Sequence, residues 1–266
     1  MGKLQKAVKE IHKSDEGTSK NAERGEISPL SRLLVTFFYI LLVVSFPKYN
    51  LAGLSGMVLY LLVTGIWEEI SVKEAFSRIW PVLLLAGMVG IANPFVEREA
   101  ALKIGGVAIT YGMISMCTLM LKGIFSVTAS YFLLMTTGIE GICSSLRELH
   151  VPKELVTILL LIYRYLILLL KEAERMMQAY KLRAPGQKGI HFKAWGPFVG
   201  GLLLRSMERG QRVYESMLLR GYRGEIAGRG FTGSRRKSVL YVLAWFVILL
   251  ILRVMPVFQM AGQLLF

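Results

Sequence analysis

A block of positive charge lies between stretches apolar enough to enter a bilayer, and few folds accommodate both. Residues 138–237 hold 18 Lys/Arg against 8 Asp/Glu, which is +10 of the chain's net +14. Elsewhere the charge nearly balances, with 7 basic against 5 acidic residues over 1–32 and 5 against 5 over 46–103. Over all 266 residues 54% are apolar and mean hydropathy is +0.50, the composition of a membrane protein. A basic block can also serve nucleic acid. Flanked by hydrophobic spans, it instead obeys the positive-inside rule and belongs on the cytoplasmic side of a cell membrane. The bilayer is therefore an expected partner and nucleic acid is not.

Four regions follow. Residues 1–27 are polar and mixed in charge, and are expected to form a flexible N-terminal tail with no signal-peptide core. Residues 28–137 hold N-terminal membrane spans, 138–237 a cytoplasmic region, and 238–266 a C-terminal span. Ser28-Pro29 is a helix start, with serine as cap and proline at the first helical position. Spans are expected at Leu30–Phe46, Leu51–Trp67 and Ile79–Phe95, each close to the ~20 residues that a bilayer core requires. With the N-terminus inside, the basic block returns inside only if Ile104–Thr137 makes one net crossing. A fifth span, Val239–Val257, then leaves the C-terminus outside. Lys122 interrupts the fourth span and must sit near an interface or face protein. The expected fold is all-α and polytopic, with about five spans.

Inside the basic block the pattern changes. Ile139–Leu149 reads as a short amphipathic helix, and Val151-Pro152 opens a long one that runs to about Arg183. A glycine-rich link, Gly186–Gly196, precedes a second rod from about Pro197 to Arg220, with Gly221 placed to cap its end. A shift of 37 residues superimposes the two rods. Leu166, Leu170, Ala173, Met177 and Tyr180 fall on Leu203, Met207, Gly210, Tyr214 and Met217, and Arg183 falls on Arg220. Spacings of four and three put each set on one helix face. The small residues Ala173 and Gly210 permit close approach, so the rods are expected to cross there and carry Arg183 and Arg220 at their tips. The plainer alternative is a pair of amphipathic helices lying along the bilayer surface. An arginine at a helix C-terminus opposes the macrodipole and offers a fork for a carboxylate on another surface.

Other chemistry is missing from the sequence. There is no GxxxxGK[ST] phosphate loop, so the chain is not expected to hydrolyse ATP. His12, His150 and His191 are isolated, and Cys117 and Cys143 lack metal or disulfide spacing, so neither a metal site nor a cofactor is expected. Glu172, Glu174, Glu208 and Glu215 read as partners for Arg175, Arg209 and Arg212 along helix faces rather than as acid–base groups. Arg164, between two tyrosines, is expected to face protein or the interface.

The segments LRELHVPKELVTILLLIYRYLILLLKEAERMMQAYKLR and LLLRSMERGQRVYESMLLRGYRGE resemble the transmembrane T component of energy-coupling factor transporters. They look most like the CbiQ type, associated with cobalt uptake. The resemblance is specific over about 120–225 and general before that. It implies an integral scaffold that holds a substrate-binding membrane subunit, the S component, against two ABC ATPase subunits. It also implies coupling helices whose X-Arg-X motifs, often Ala-Arg-Gly, dock in the ATPases. Leu219-Arg220-Gly221 matches that motif; Leu182-Arg183-Ala184 keeps the arginine, has alanine for glycine, and runs into Pro185. The implied function is energy coupling in an importer of cobalt or another metal ion, with vitamin uptake as the alternative. A self-contained secondary transporter calls for an inverted repeat that the sequence does not display. A scaffold unrelated to transport leaves the two arginine tips unexplained.

Overall fold

The computed structural model describes residues 27–68, 80, 84–91, 100–104, 107–187, 189–224 and 234–254. The elements in order are α1 (Pro29–Ser45), α2 (Leu51–Gly56), α3 (Val58–Trp67), a helical stretch at 84–90, the strands β1 (Ala100–Ile104) and β2 (Val107–Thr110), α4 (Tyr111–Glu148), α5 (Lys153–Arg183), α6 (Phe192–Leu219) and α7 (Arg235–Val254). The chain forms two compact units that divide after Gly138. There the backbone leaves the helix (φ 66°, ψ 169°) and separates the Tyr111–Thr137 part of α4 from its last turns. This is the break expected between a span and the short helix that follows it.

The first unit comprises described residues 27–138 and 234–254. α4 and α7 are long and apolar enough to cross a membrane, while α1 and the α2–α3 stretch are apolar but shorter. α1 starts as its sequence requires: the Ser28 hydroxyl accepts from the Ser31 amide at 3.3 Å and Pro29 opens the first turn. It ends at Phe46, held extended before Pro47 (ψ 144°). α7 runs along α1, with Phe38 stacked on Phe246 at 4.2 Å, and the Ser28 amide donates to the Ser238 hydroxyl at 2.9 Å. Tyr39, Tyr60 and Trp245 form the centre of the buried core, with ring centroids 4.3 and 4.8 Å apart.

Polar groups inside this unit are spent on backbone carbonyls that lipid cannot satisfy. Met57 separates α2 from α3, and its carbonyl accepts from the Tyr39 hydroxyl at 3.1 Å. Arg32, near the start of α1, pairs with Glu68 at 3.0 Å and donates to the Thr136 carbonyl at 3.0 Å. These groups line a cavity of about 20 Å³ with Thr36, Tyr60 and Tyr241, enough for about one water molecule. At the other end of α1, Lys122 from α4 donates to the carbonyls of Val44 and Phe46 at 3.0 and 2.6 Å. Lys122 therefore faces protein, which resolves how an ammonium group is held within an apolar span. Close packing at small residues draws 84–90 against α4: a Cβ on Gly90 would lie 2.9 Å from Met116 Cγ.

Three expectations need correction or fall elsewhere. The stretch from Ile104 does not begin as a helix: β1 and β2 pair antiparallel with Ile104 opposite Val107, and α4 starts at Tyr111. Its sequence carries the reason, since paired glycines at 105 and 106 stand between alternating apolar residues. The Leu51–Trp67 span is interrupted at Met57. Residues 1–26 of the expected tail, 79, 81–83 and 92–95 of the expected third span, and 255–257 of the last span lie outside the described residues.

Arg32→Met strands the Glu68 carboxylate, only 22% exposed, and is expected to cost about 3–5 kcal/mol. Arg32→Met/Glu68→Leu should recover most of that loss, because both charges then go together. Unfolding midpoints in detergent measure this cycle, and a single variant as stable as the parent would sink the clamp.

Candidate functional site

The second unit begins at Ile139 and is described to residue 224. Its first helix, the tail of α4, closes with a Schellman pair: the Val151 amide donates to Leu146 and that of His150 to Arg147. His150 occupies the left-handed position (φ 63°) where glycine is usual. Cys143, on the same helix, is buried, and burial pushes its thiol above the usual range with the Glu140 charge adding to the effect. Cys117, in the membrane part of α4, is exposed.

Two rods follow. α5 has 31 residues, or roughly 45 Å at 1.5 Å per residue, and α6 has 28. α6 begins at Phe192 rather than near Pro197, because His191 caps it by accepting from the Lys193 amide. Pro197 therefore sits inside the helix, where it removes a single bond, that to the Lys193 carbonyl. Tyr180 ties the link between rods: its hydroxyl donates to the Gln187 side-chain oxygen at 2.8 Å and accepts from the His191 amide at 3.3 Å.

The rods meet at a place that the half-repeat does not indicate. Glu172 of α5 forms ion pairs with Arg205 across to α6 and with Arg175 one turn on. A Cβ on Gly201 would lie 3.3 Å from Met176 Cε, whereas one on Gly210 would meet nothing within 4 Å. On α6 the contact is thus at Gly201 rather than at Gly210, about two and a half turns earlier along the helix. Leu203, Met207 and Tyr214, placed by periodicity in a seam against α5, are exposed instead. Leu170, Ala173 and Met177 on α5 are half-buried. Met217 of the α6 stripe is half-buried, as are Leu202 and Val213 on the neighbouring face of that helix. Heptad-like spacing defines a stripe, but the Glu172–Arg205 pair sets how the helix is rotated.

Both rods end in exposed arginine. α5 stops at Arg183, with the Ala184 amide closing on Tyr180 at 3.0 Å. α6 stops at Leu219, with Arg220 as C-cap and Gly221 at φ 82°. The Gly221 amide donates to Leu218 at 3.0 Å and that of Tyr222 to Met217 at 2.9 Å, a complete Schellman motif. The leucines beside the arginines are among the most exposed apolar residues described, Leu182 at 84% and Leu219 at 90%. Neither the Arg183 nor the Arg220 side chain has a hydrogen bond or ion pair among the described residues. At the first tip Pro185 and Gly186 (φ 93°) turn the chain, and the cap differs from the second.

Sequence reasoning missed Arg205 and Gly201, and it placed Tyr180 in the stripe of α5 without its bonds to the link. Arg205 was visible only as one more charge in a basic block, and its partner is 33 residues away. The pairing of Glu208 with Arg212 at 3.9 Å follows the expected helical spacing. Arg164 is exposed, so it is not turned into this unit. Among the described residues no group of three or more His, Cys, Asp or Glu is placed to hold a metal ion.

A side chain at 221 must adopt the left-handed conformation, at about 1–2 kcal/mol. Gly221→Val is expected to speed amide exchange at Tyr222 by about 5- to 30-fold, and unchanged exchange would show that the cap does not hold the tip.

Residues 21–231 match the CbiQ family, described as cobalt transport protein. An uncharacterized protein of Methanocaldococcus jannaschii is 28% identical over 206 residues, covering 74% of this chain and 70% of that one. The energy-coupling factor transporter transmembrane protein EcfT of Ruminiclostridium cellulolyticum is 24% identical over 210 residues, 74% and 78% of the two chains. The cobalt transport protein CbiQ of Rhodobacter capsulatus is 30% identical over 92 residues, 34% and 38%. With a helical, apolar membrane unit and a match over most of its length, the chain belongs to the CbiQ/EcfT family of transport proteins, which are transporter components and not enzymes.

Proposed function

We propose that this chain is the energy-coupling T subunit of an energy-coupling factor importer, passing ATP-driven motion from two ABC ATPase subunits to a substrate-binding membrane subunit. Its spans cross the cell membrane several times, and the 138–237 region lies in the cytoplasm, as the placement of positive charge supports. Arg183 and Arg220 dock in the ATPases, flanked by Leu182 and Ala184 at one tip and by Leu219 and Gly221 at the other. The observation that carries this reading is the pair of exposed Leu-Arg helix ends on rods joined by Glu172–Arg205.

The physical logic is that of a lever. ATPase closure moves the tips, and a helix transmits displacement along its axis where a flexible linker would absorb it. The ion pair and the Gly201–Met176 contact keep one rod from sliding freely past the other. The exposed stripe Val199, Leu203, Met207 and Tyr214 on α6, continued by Leu218, provides an apolar face for the substrate-binding subunit. The family description and the CbiQ relative favour cobalt or another metal ion as cargo. The EcfT relative matches a larger share of this chain and supports the T-component role without specifying a cargo, so vitamin uptake is the second reading.

Arg220→Glu places a carboxylate where an acidic groove is expected and should weaken ATPase association by about 2–5 kcal/mol if the contact is desolvated. Recovery of ATPase with the tagged full-length protein and cobalt uptake in cells should both fall, with Arg183→Glu tested beside it. Normal uptake and normal ATPase recovery in the Arg220→Glu strain would refute the docking role.

A further inference from the structure

Three consecutive carbonyls at the end of α1 are shared by two cations from other helices. Lys122 donates to Val44 and Phe46, at 3.0 and 2.6 Å. Arg253, at the end of α7, donates through Nη2 to the Ser45 carbonyl at 3.0 Å and to its hydroxyl at 3.3 Å. The same guanidinium lies 4.1 Å from the centre of the Phe46 ring. Its other terminal nitrogen, Nη1, is buried and has no hydrogen-bond partner among the described residues. No described carboxylate forms an ion pair with either cation.

Among the described residues the charges do not balance. A helix C-terminus presents about half a negative charge, so two cations there leave an excess of roughly one and a half units. In apolar surroundings such an excess calls for an anion, and the exposed Lys122 Nζ and Arg253 Nη2 are the donors one can approach. The site lies where α1 and α7 both end, beside the aromatic pair Tyr49–Tyr111, centroids 5.2 Å apart, as in the aromatic belts of membrane interfaces. Exposed Leu41, Val44, Ile251 and Val254 border it on α1 and α7 and offer apolar surface to acyl chains. A phosphate-bearing anion fits the donors, and the apolar border favours one that carries its own hydrocarbon.

We propose that Lys122 and Arg253 bind the phosphodiester of an anionic membrane lipid at the end of α1. The lipid completes the charge balance of the membrane unit and fixes the junction of α1, α4 and α7 at that face.

The test uses the full chain, extracted in mild detergent, mixed with vesicles of equimolar phosphatidylglycerol and phosphatidylcholine, and examined by native mass spectrometry. The unaltered protein should retain phosphatidylglycerol in preference to phosphatidylcholine. Lys122→Gln/Arg253→Gln should lower that retention about tenfold, a change of about 1.4 kcal/mol. Lys122→Arg, which keeps the charge, and Lys171→Gln, on the exposed side of α5, should leave it unchanged. The preference of the unaltered protein does not depend on whether the double variant folds. Equal retention of both lipids, full retention by a folded double variant, or displacement of the lipid by excess inorganic phosphate would each overturn the proposal.

Discussion

Arg32, its side chain 11% exposed, lies among three stretches of chain that are distant in sequence and ties them together in the membrane unit. Its guanidinium joins the start of α1 to Glu68 after α3 and to the Thr136 carbonyl at the end of the membrane part of α4. A buried pair of this kind adds little net stability compared with apolar side chains of the same size. Its effect lies in what it forbids: neither partner can withdraw into an apolar environment without leaving a charge uncompensated. Thr136 is two residues before the Gly138 break, so the clamp holds the last helical turns ahead of that break. The same solution recurs at the other end of α1, where Lys122 and Arg253 take up the carbonyls of Val44, Ser45 and Phe46. Cations in this unit serve backbone oxygen as much as they serve carboxylates.

In the unit that begins at Ile139, arginine is used in the opposite way. Arg205 is committed to Glu172 across the two rods, while the side chains of Arg183 and Arg220, at helix ends, have no partner among the described residues. Capping explains how an end can stay firm while its arginine stays free. At Gly221 the backbone turns left-handed and the last carbonyls of α6 are met by the amides of Gly221 and Tyr222. The side chain of Arg220 is not needed to satisfy them. Membership of the CbiQ/EcfT family gives those free tips a setting in a multi-subunit transporter.

Features set by nearby residues were readable before any coordinates. Ser28-Pro29 started α1, Gly138 ended the membrane part of α4, and Gly221 capped α6, because each depends on a few neighbouring residues and a known backbone preference. The β1–β2 pair was also signalled locally, by Gly105-Gly106 between alternating apolar residues, but the apolar run that follows it masked the change of period. The seam between the rods was misplaced for a different reason. Periodicity shows that α6 has an apolar stripe including Leu203, Met207 and Tyr214; it does not say which neighbour covers that stripe. In the structure it is exposed.

The amino-acid order was sufficient for a helical membrane protein with a basic region, two rods, and arginine at the end of each. Those properties follow from hydropathy, charge placement and capping, all of which act over a few turns of chain. Only the folded chain decided that Glu172 pairs with Arg205, that Gly201 rather than Gly210 admits a side chain from α5, and that Lys122 and Arg253 share the end of α1. Each joins residues dozens to hundreds of positions apart. Their energies depend on distance and burial, and helical spacing carries neither across a loop.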